Sequence, residues 1–389
     1  MRIAFLNWRD TSNPEGGGSE VYIEQIARRL AGHGHQVTLV CAQHRGAAPV
    51  EWRDGVRIVR RGSKLSVYSE ARKLLRQGSL GPIDVVVDTQ NGIPFLAPWA
   101  TTAPVVVLVH HIHREQWPVV YDPLRARIGW WVESRVAPFV YRDCRYVAVS
   151  TATRDELQKL GVAGERISVI RNGATAVDFD GDTPAGRDPQ PRILVLGRLV
   201  PHKRVEHVLR AAARLRSTYP GLSVAVVGDG WWAEALREQA RQLAVDDIVE
   251  FTGHVSEERK ASELARAWVL ALPSLKEGWG LVVLEAGSHG VPAVAYREAG
   301  GVSESIVEGA TGLLVDGSEE DYTSALERVL ADAALRTALG RQAQEYAAQF
   351  SWDASAEELE KVLTEAVSYS TRTRRTGRRR WGAPRSGTR

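Results

Sequence analysis

The sequence predicts an α/β fold in two successive halves, each a parallel sheet with helices on both faces. Three observations carry this. Short apolar runs alternate with segments of helical period along the whole chain. Two of the runs, Asp84-Val85-Val86-Val87-Asp88 and Val105-Val106-Val107-Leu108-Val109, are near-continuous, as strands buried on both faces require. Residues 178–190, rich in Asp, Gly and Pro, show no apolar period and separate two such alternations.

The first strand is read at 3–6, and Gly16-Gly17-Gly18 follows in a loop. Ser19 is read as the cap of a helix in which Tyr22, Ile26 and Leu30 share one face, with Gly32 and Gly34 ending it. Strands are expected at 36–41, 56–59, 84–88, 105–109, 146–150 and 167–170. The second alternation opens on the strand 192–197, then helix 204–218, strand 223–227 and, past Gly228-Asp229-Gly230, helix 231–243. Strand 249–252, helix 256–268, strand 269–272, helix 281–290 and strand 293–296 continue it. Helices at 319–329 and 331–348 close it, and one more is expected at 353–368. The first domain is placed at 1–178 and the second at 190–350.

Composition narrows the class. The chain has 389 residues, of which 44% are apolar, so each half can bury a core. The formal charge of +3 is concentrated: residues 372–389 carry eight arginines and no acid, which leaves a slightly acidic body. The tail at 370–389 is expected to be unstructured, with contact to nucleic acid or an acidic membrane as the sharper alternative. Cys41 and Cys144 form no CxxC pair, which fits a reducing compartment. Met1 leads straight into an apolar strand, unlike a signal peptide, and no run approaches the about eighteen apolar residues of a membrane span. The expectation is a cytoplasmic protein, free or peripheral on the inner face of a membrane, with no nucleic-acid partner.

Several strand ends carry chemistry, each with a bland counterpart. Gly16-Gly17-Gly18 lies between a strand and a helix, where backbone can approach a phosphate closely; a flexible turn is the alternative, since the spacing is not GxGxxG. Arg198 and Lys203 follow the strand that opens the second half, so two cations at one strand end could neutralise a diphosphate; plain surface cations are the alternative. Glu277-Gly278-Trp279-Gly280 leads into a helix bearing Glu285, which offers two carboxylates and exposed backbone N–H groups to a polyhydroxylated ligand. An unrelated surface and helical pair of acids is the bland reading. His110, His111 and His113 follow a buried strand, yet the spacing matches no zinc motif; an edge-of-cleft polar role or a structural hydrogen bond remains for His110. The aromatic and basic stretch 117–141, whose start Pro118 and Pro123 make a loop, is read as an amphipathic helix that lies on an acidic bilayer, packs on the protein, or meets a second copy.

In order and at strand ends, these residues resemble the GT4 family of retaining glycosyltransferases, which have the GT-B fold: two Rossmann-like domains facing across a cleft. The resemblance spans residues 1–368 and rests on Gly16-Gly17-Gly18-Ser19-Glu20, His110, Val169-Ile170-Arg171-Asn172-Gly173, Arg198 with Lys203, and the Glu277 and Glu285 pair. It implies a nucleoside diphosphate sugar as donor, no other cofactor, and no metal. It implies that Glu285 accepts from the ribose hydroxyls and that Arg198 and Lys203 hold the diphosphate. Glu277 and the backbone of Gly278, Trp279, Gly280, Leu281 and Val282 would face the donor. Gly17 and Gly18 would approach the diphosphate and acceptor side, and His110 would contact the sugar near the reacting centre. The last helix, 353–368, would cross back onto the first domain. Many members have His-Asp where this chain has His110-His111, so acidic help there is absent. Trp279 is bulky beside the glycines and either narrows the sugar pocket or lies outside it.

The implied reaction is hexosyl transfer to an acceptor hydroxyl on a lipid, a small metabolite or a polysaccharide. A covalent route needs a nucleophilic carboxylate at the anomeric carbon, for which Glu277 is the local candidate; front-face substitution, with the departing phosphate as base, is favoured over it. A phosphorylase- or epimerase-like enzyme on the same fold and a non-catalytic sugar-nucleotide sensor are the rivals. A dehydrogenase lacks its dinucleotide fingerprint here.

Overall fold

The computed structural model describes residues 1–174 and 186–376, with side chains through Thr371. Two sheets organise it. The first holds β1 (Arg2–Leu6), β2 (Gln36–Cys41), β3 (Val50–Arg53), β4 (Val56–Arg60), β5 (Val85–Gln90), β6 (Val105–Val109), β7 (Arg145–Ala148) and β8 (Ile167–Val169), in the order β3-β4-β2-β1-β5-β6-β7-β8. All pairs are parallel except β3 with β4. The second holds β9 (Arg192–Leu196), β10 (Ser223–Val227), β11 (Val249–Gly253), β12 (Val269–Leu272), β13 (Ala293–Tyr296) and β14 (Gly312–Val315), all parallel, in the order β11-β10-β9-β12-β13-β14. In each sheet the strand order reverses beside the first strand, between β1 and β5 and between β9 and β12. Crevices open at such reversals, beyond the carboxyl ends of the strands.

Six helices belong to the first lobe: α1 (Gly18–Gly32), α2 (Val67–Gln77), α3 (Trp117–Val120), α4 (Pro123–Trp131), α5 (Ala137–Val140) and α6 (Thr151–Lys159). The second lobe adds α7 (Val205–Leu215), α8 (Ala233–Gln242), α9 (Glu257–Arg266), α10 (Leu281–Ser288), α11 (Val302–Ser305), α12 (Glu319–Ala331) and α13 (Ala333–Ala347). Alternate strand residues feed cores on both sheet faces. Ile3, Phe5, Val85, Val87 and Val106 pack under α1, while Ala4, Leu6, Val86 and Val107 pack on the opposite face.

The last helix, α14 (Trp352–Thr376), crosses back onto the first lobe beside α1. Trp352 is 2% exposed and meets Tyr22 edge-on at 5.8 Å. Arg29 donates to Asp353 at 2.6 Å, and Glu360 receives His33 and His35 at 2.8 and 2.9 Å.

Several expectations need correction. Helix α1 begins one residue before Ser19, because the Glu20 carboxylate accepts the Gly17 N–H at 2.7 Å and caps the helix from within. Residues 370–376 are helical rather than unstructured, the helix propagating from the turns of α14 packed on the first lobe; 377–389 lie outside the described residues. Most of the 178–190 break lies outside them too. Its last residues are fastened to the second lobe, where Arg187 donates to Gly290 O at 2.7 Å and Asp188 N to Arg266 O at 3.0 Å. The start of the stretch 117–141 is not all loop, since Trp117–Val120 form the short helix α3, and the rest is not one helix. Pro123 starts α4, and a π-helical turn at Val132–Val136 separates it from α5. Strands β3 and β14 and helices α2, α6 and α11 have no counterpart in the sequence reading.

Candidate functional site

Four loops leave the carboxyl ends of β1, β6, β9 and β12 and meet between the lobes. The glycines set how closely they approach. A Cβ on Gly278 would stand 2.3 Å from the His110 carbonyl oxygen and 3.3 Å from Val149. A Cβ on Gly17 would stand 3.1 Å from Arg198 Nε, and one on Gly18 3.9 Å from Leu281. Three sequence-predicted pairs from opposite lobes are thus in apposition: Gly278 with His110, Gly17 with Arg198, Gly18 with Leu281. Gly280, at φ +82°, turns the chain into α10, so the first N–H groups of Leu281 and Val282 have no intrahelical acceptor.

Charge is distributed unevenly over the site. Arg198 is half-buried and makes no hydrogen bond or ion pair among the described residues. Burial holds its guanidinium below the ordinary value and nearby Arg9 adds to this, against Glu20, Glu15 and Glu277. It remains a cation at neutral pH, held without a contacting counter-charge. Lys203 differs: its Nζ lies 2.6 Å from Glu277 Oε1, so the two site residues neutralise each other. Glu277 is itself pinned by its backbone, its N–H donating to Ala299 O at 2.7 Å and its carbonyl accepting from Gly301 N at 3.1 Å. Glu285 lies one turn into α10, about 6 Å along its axis from Leu281. It contacts neither Lys203 nor Glu277 among the described residues; its partner is Lys260 of α9, at 2.8 Å. Burial pushes the Glu285 carboxyl up, and Lys260 opposes that.

His110 is 6% exposed, with its ring edge-on to Tyr22 at 5.3 Å. Burial, with His113 adding, lowers its pKa to about 3. The imidazole is therefore neutral at physiological pH, and its Nε2 has no hydrogen-bond partner among the described residues. A neutral ring can exchange hydrogen bonds with a hydroxyl but carries no charge. His111 and His113 are held from within the first lobe. His111 Nε2 sits 3.1 Å from Gln116 Oε1, and the buried Glu133 lies 3.0 Å from His113 Nδ1 and 2.8 Å from Trp117 Nε1. Among the described residues no group of three or more His, Cys, Asp or Glu could hold a metal ion.

Trp279 lies outside the mouth. Its indole is 2% exposed and packs against Phe350 at 5.3 Å with the Arg171 guanidinium 5.5 Å away, so only its backbone is left to face a ligand. Sequence reasoning gave no role to four residues here. Arg9 stands three residues past the end of β1, much as Arg198 stands two past β9, and that parallel was readable. Glu20 fastens the glycine loop to α1, receiving Gly17 N and lying 3.7 Å from Arg9. His202 has a buried, unpartnered Nδ1 and a pKa lowered to about 3, by burial first and by Lys203 and Arg198 beside it. Lys260 sits on a helix with no local signal.

Two family models match the sequence. Glycosyltransferase Family 4 covers residues 16–176, and Glycosyl transferases group 1 covers 182–346. A GDP-mannose-dependent alpha-(1-6)-phosphatidylinositol monomannoside mannosyltransferase of Mycolicibacterium smegmatis is 29% identical over 90% of this chain and 96% of its own. A D-inositol 3-phosphate glycosyltransferase of Kribbella flavida is 30% identical over 92% of each. Among solved structures, a sucrose-phosphate synthase from Thermosynechococcus elongatus superposes with a TM-score of 0.80 at 20% identity, over 95% of this chain and 99% of that one.

Proposed function

Because the chain belongs to the GT4 glycosyltransferases with the GT-B fold, retaining enzymes that move a sugar from a nucleoside diphosphate to an acceptor hydroxyl, we propose how its own residues do so and where its acceptor resides. Arg198 receives the diphosphate, with Lys203 and the α10 N–H groups beside it, while Gly17 and Gly18 let the first lobe close over it. Glu285 accepts from the ribose hydroxyls. His110 and Glu277 contact the transferred hexose. The observation that carries this reading is Arg198, a cation between the two strand-order reversals without a contacting counter-ion among the described residues.

The bond from the anomeric carbon to the phosphate oxygen breaks as the acceptor oxygen attacks the same face, and the acceptor proton passes to the departing phosphate. Arg198 and Lys203 stabilise the charge that grows on that phosphate. A covalent glycosyl intermediate on Glu277 is disfavoured, because the carboxylate already pairs with Lys203 at 2.6 Å. His110, neutral at working pH, steers hydroxyls rather than carrying charge. The step asks for no metal, and activity is expected to persist in chelator.

A thermal-shift screen against UDP-, GDP- and ADP-sugars tests the donor assignment. One of them should stabilise the folded chain, by about 2.7 kcal/mol at a hundredfold excess over Kd. Arg198→Ala should abolish that shift. A shift with none of the three, or a product of inverted anomeric configuration, overturns the reading.

A membrane-borne acceptor is favoured by a separate observation. Leu124, Ile128 and Trp131 recur along α4 at 67, 53 and 59% exposure, with Phe139 at 64% beyond them. Arg125, Arg127 and Arg135, all exposed, flank this stripe. An apolar stripe edged by arginines suits the headgroup region of an acidic bilayer. The phosphatidylinositol lipid in the name of the Mycolicibacterium smegmatis relative supports the same choice, and the place of action we propose is the inner, cytoplasmic face of a membrane. Vesicles containing phosphatidylglycerol should carry the wild type upward in flotation and leave an L124E/W131E variant behind. Equal flotation of both sinks this part, and a concentration-dependent dimer lost in the variant would assign the stripe to self-association.

A further inference from the structure

We propose that Lys260 is a positioning residue for the donor, anchoring the Glu285 carboxylate so that it presents both oxygens to the ribose. This rests on the assignment of Glu285 to the ribose hydroxyls.

The contact is set by helix packing. Leu264 of α9 shares one apolar cluster with Val283 and Ala286 of α10, which fixes the spacing of the two helices on the same face of the second sheet. Lys260 lies one turn before Leu264, so it points along the same face. Its Nζ stands 2.8 Å from Glu285 Oε1 and 2.7 Å from Glu257 Oε2. Glu285 and Lys260 side chains are 18% and 21% exposed, whereas Glu257 is 82% exposed. Two of the three ammonium donors are thereby engaged, one by a carboxylate open to solvent and one by the carboxylate of the site.

Glu285 needs this neighbour. An ionised carboxylate accepts from two hydroxyls at once, and protonation replaces part of that capacity with a donor. Burial favours the protonated form, Glu257 adds to that, and among the described residues Lys260 opposes it. His289, the C-cap of α10, places Nδ1 2.9 Å from the Glu285 carbonyl, and burial lowers its pKa, which disfavours the charged ring that could compensate. Without the ammonium, Glu285 would be a buried acid beside a second acid. Its titration would move upward, and donor affinity would fall as pH falls.

Calorimetric titration with GDP and UDP over about pH 6 to 9 tests this on the full chain, with Glu285→Ala as control. Wild-type affinity for the nucleotide that binds should be nearly flat. Lys260→Met should bind about tenfold or more weakly at the acid end than at the alkaline end, each unit of displaced titration being worth about tenfold. Lys260→Arg should restore the flat profile, and thermal melts confirm that each variant is folded. A Lys260→Met profile that stays flat overturns the proposal, whether its affinity is unchanged, uniformly weaker or tighter. If Glu285→Ala binds like wild type, the ribose assignment fails and the proposal with it. If Glu285→Ala weakens binding while Lys260→Met stays flat, only the role of Lys260 fails. If wild type binds neither nucleotide, the donor reading itself is wrong.

Discussion

The two lobes place the same topological feature opposite each other and furnish it differently. In the first lobe, the loop beyond β1 is held in a web of acids. Glu20 is buried and caps Gly17; Asp10 forms a fully buried pair with Arg60 at 2.5 Å; Arg9 lies 3.3 and 3.7 Å from Glu15 and Glu20. In the second lobe, the loop beyond β9 presents Arg198 without a contacting partner among the described residues. The first loop is shaped by internal ion pairs and offers backbone, while the second is left with charge to spare. Strand order decides where ligands go, and unpaired charge decides what kind of ligand is held.

The largest expected effect breaks this asymmetry directly. Arg198→Ala should lower kcat by about 100- to 1,000-fold, the usual range for losing one donor to a developing anion. Lys203→Ala should cost less, because Lys203 already shares its charge with Glu277. Steady-state kinetics with the donor found by thermal shift checks both, and a larger loss for Lys203 would reverse the assignment of the principal phosphate ligand.

A second substitution probes the approach of the lobes rather than their charge. Gly278→Ala places a Cβ 2.3 Å from the His110 carbonyl, so the loops must part. A displacement of that order should cost about 100-fold in kcat/KM. Retained activity would mean that the catalytic state does not need this contact.

The smallest expected effect concerns His110 and His202. Both have folded pKa values near 3, below the ordinary histidine value. The sign follows: above about pH 6.5 both rings are neutral whether folded or not, and stability is at its full level. As pH falls from there toward the folded value, the unfolded chain takes up protons that the folded chain refuses. Stability then drops by up to about 1.4 kcal/mol per pH unit for each ring. Urea melts at descending pH should show this slope, reduced in His110→Gln. An unchanged slope would mean that His110 is not the buried neutral ring described.

Much of the fold was legible because it is local. The valine runs of β5 and β6, the glycines ending α1 and the apolar period of α7 report buried strands and helices without reference to distant residues. The β3–β4 hairpin went unread, although its turn is local: Asp54-Gly55 takes positive φ at both residues, the turn that Asp-Gly favours. The candidate site was half legible. Gly17, Arg198, Glu277 and Glu285 stand where strand ends and helix starts put ligands, so their positions follow from chain order. Their partners do not, for Lys203 meets Glu277 across 74 residues and Lys260 meets Glu285 across 25.

By itself, then, the sequence determined the alternation of strands and helices, the two-lobed plan and the residue types waiting at each strand end, since period and turn chemistry act over a few neighbours. Only the tertiary structure decided which charges are cancelled and which stand free. It left Arg198 bare, paired Lys203 and Lys260 with carboxylates, turned Trp279 into the core and made His110 a neutral ring. Ion pairing and burial depend on which helices and loops are brought within a few ångströms, and that is a property of packing rather than of spacing along the chain.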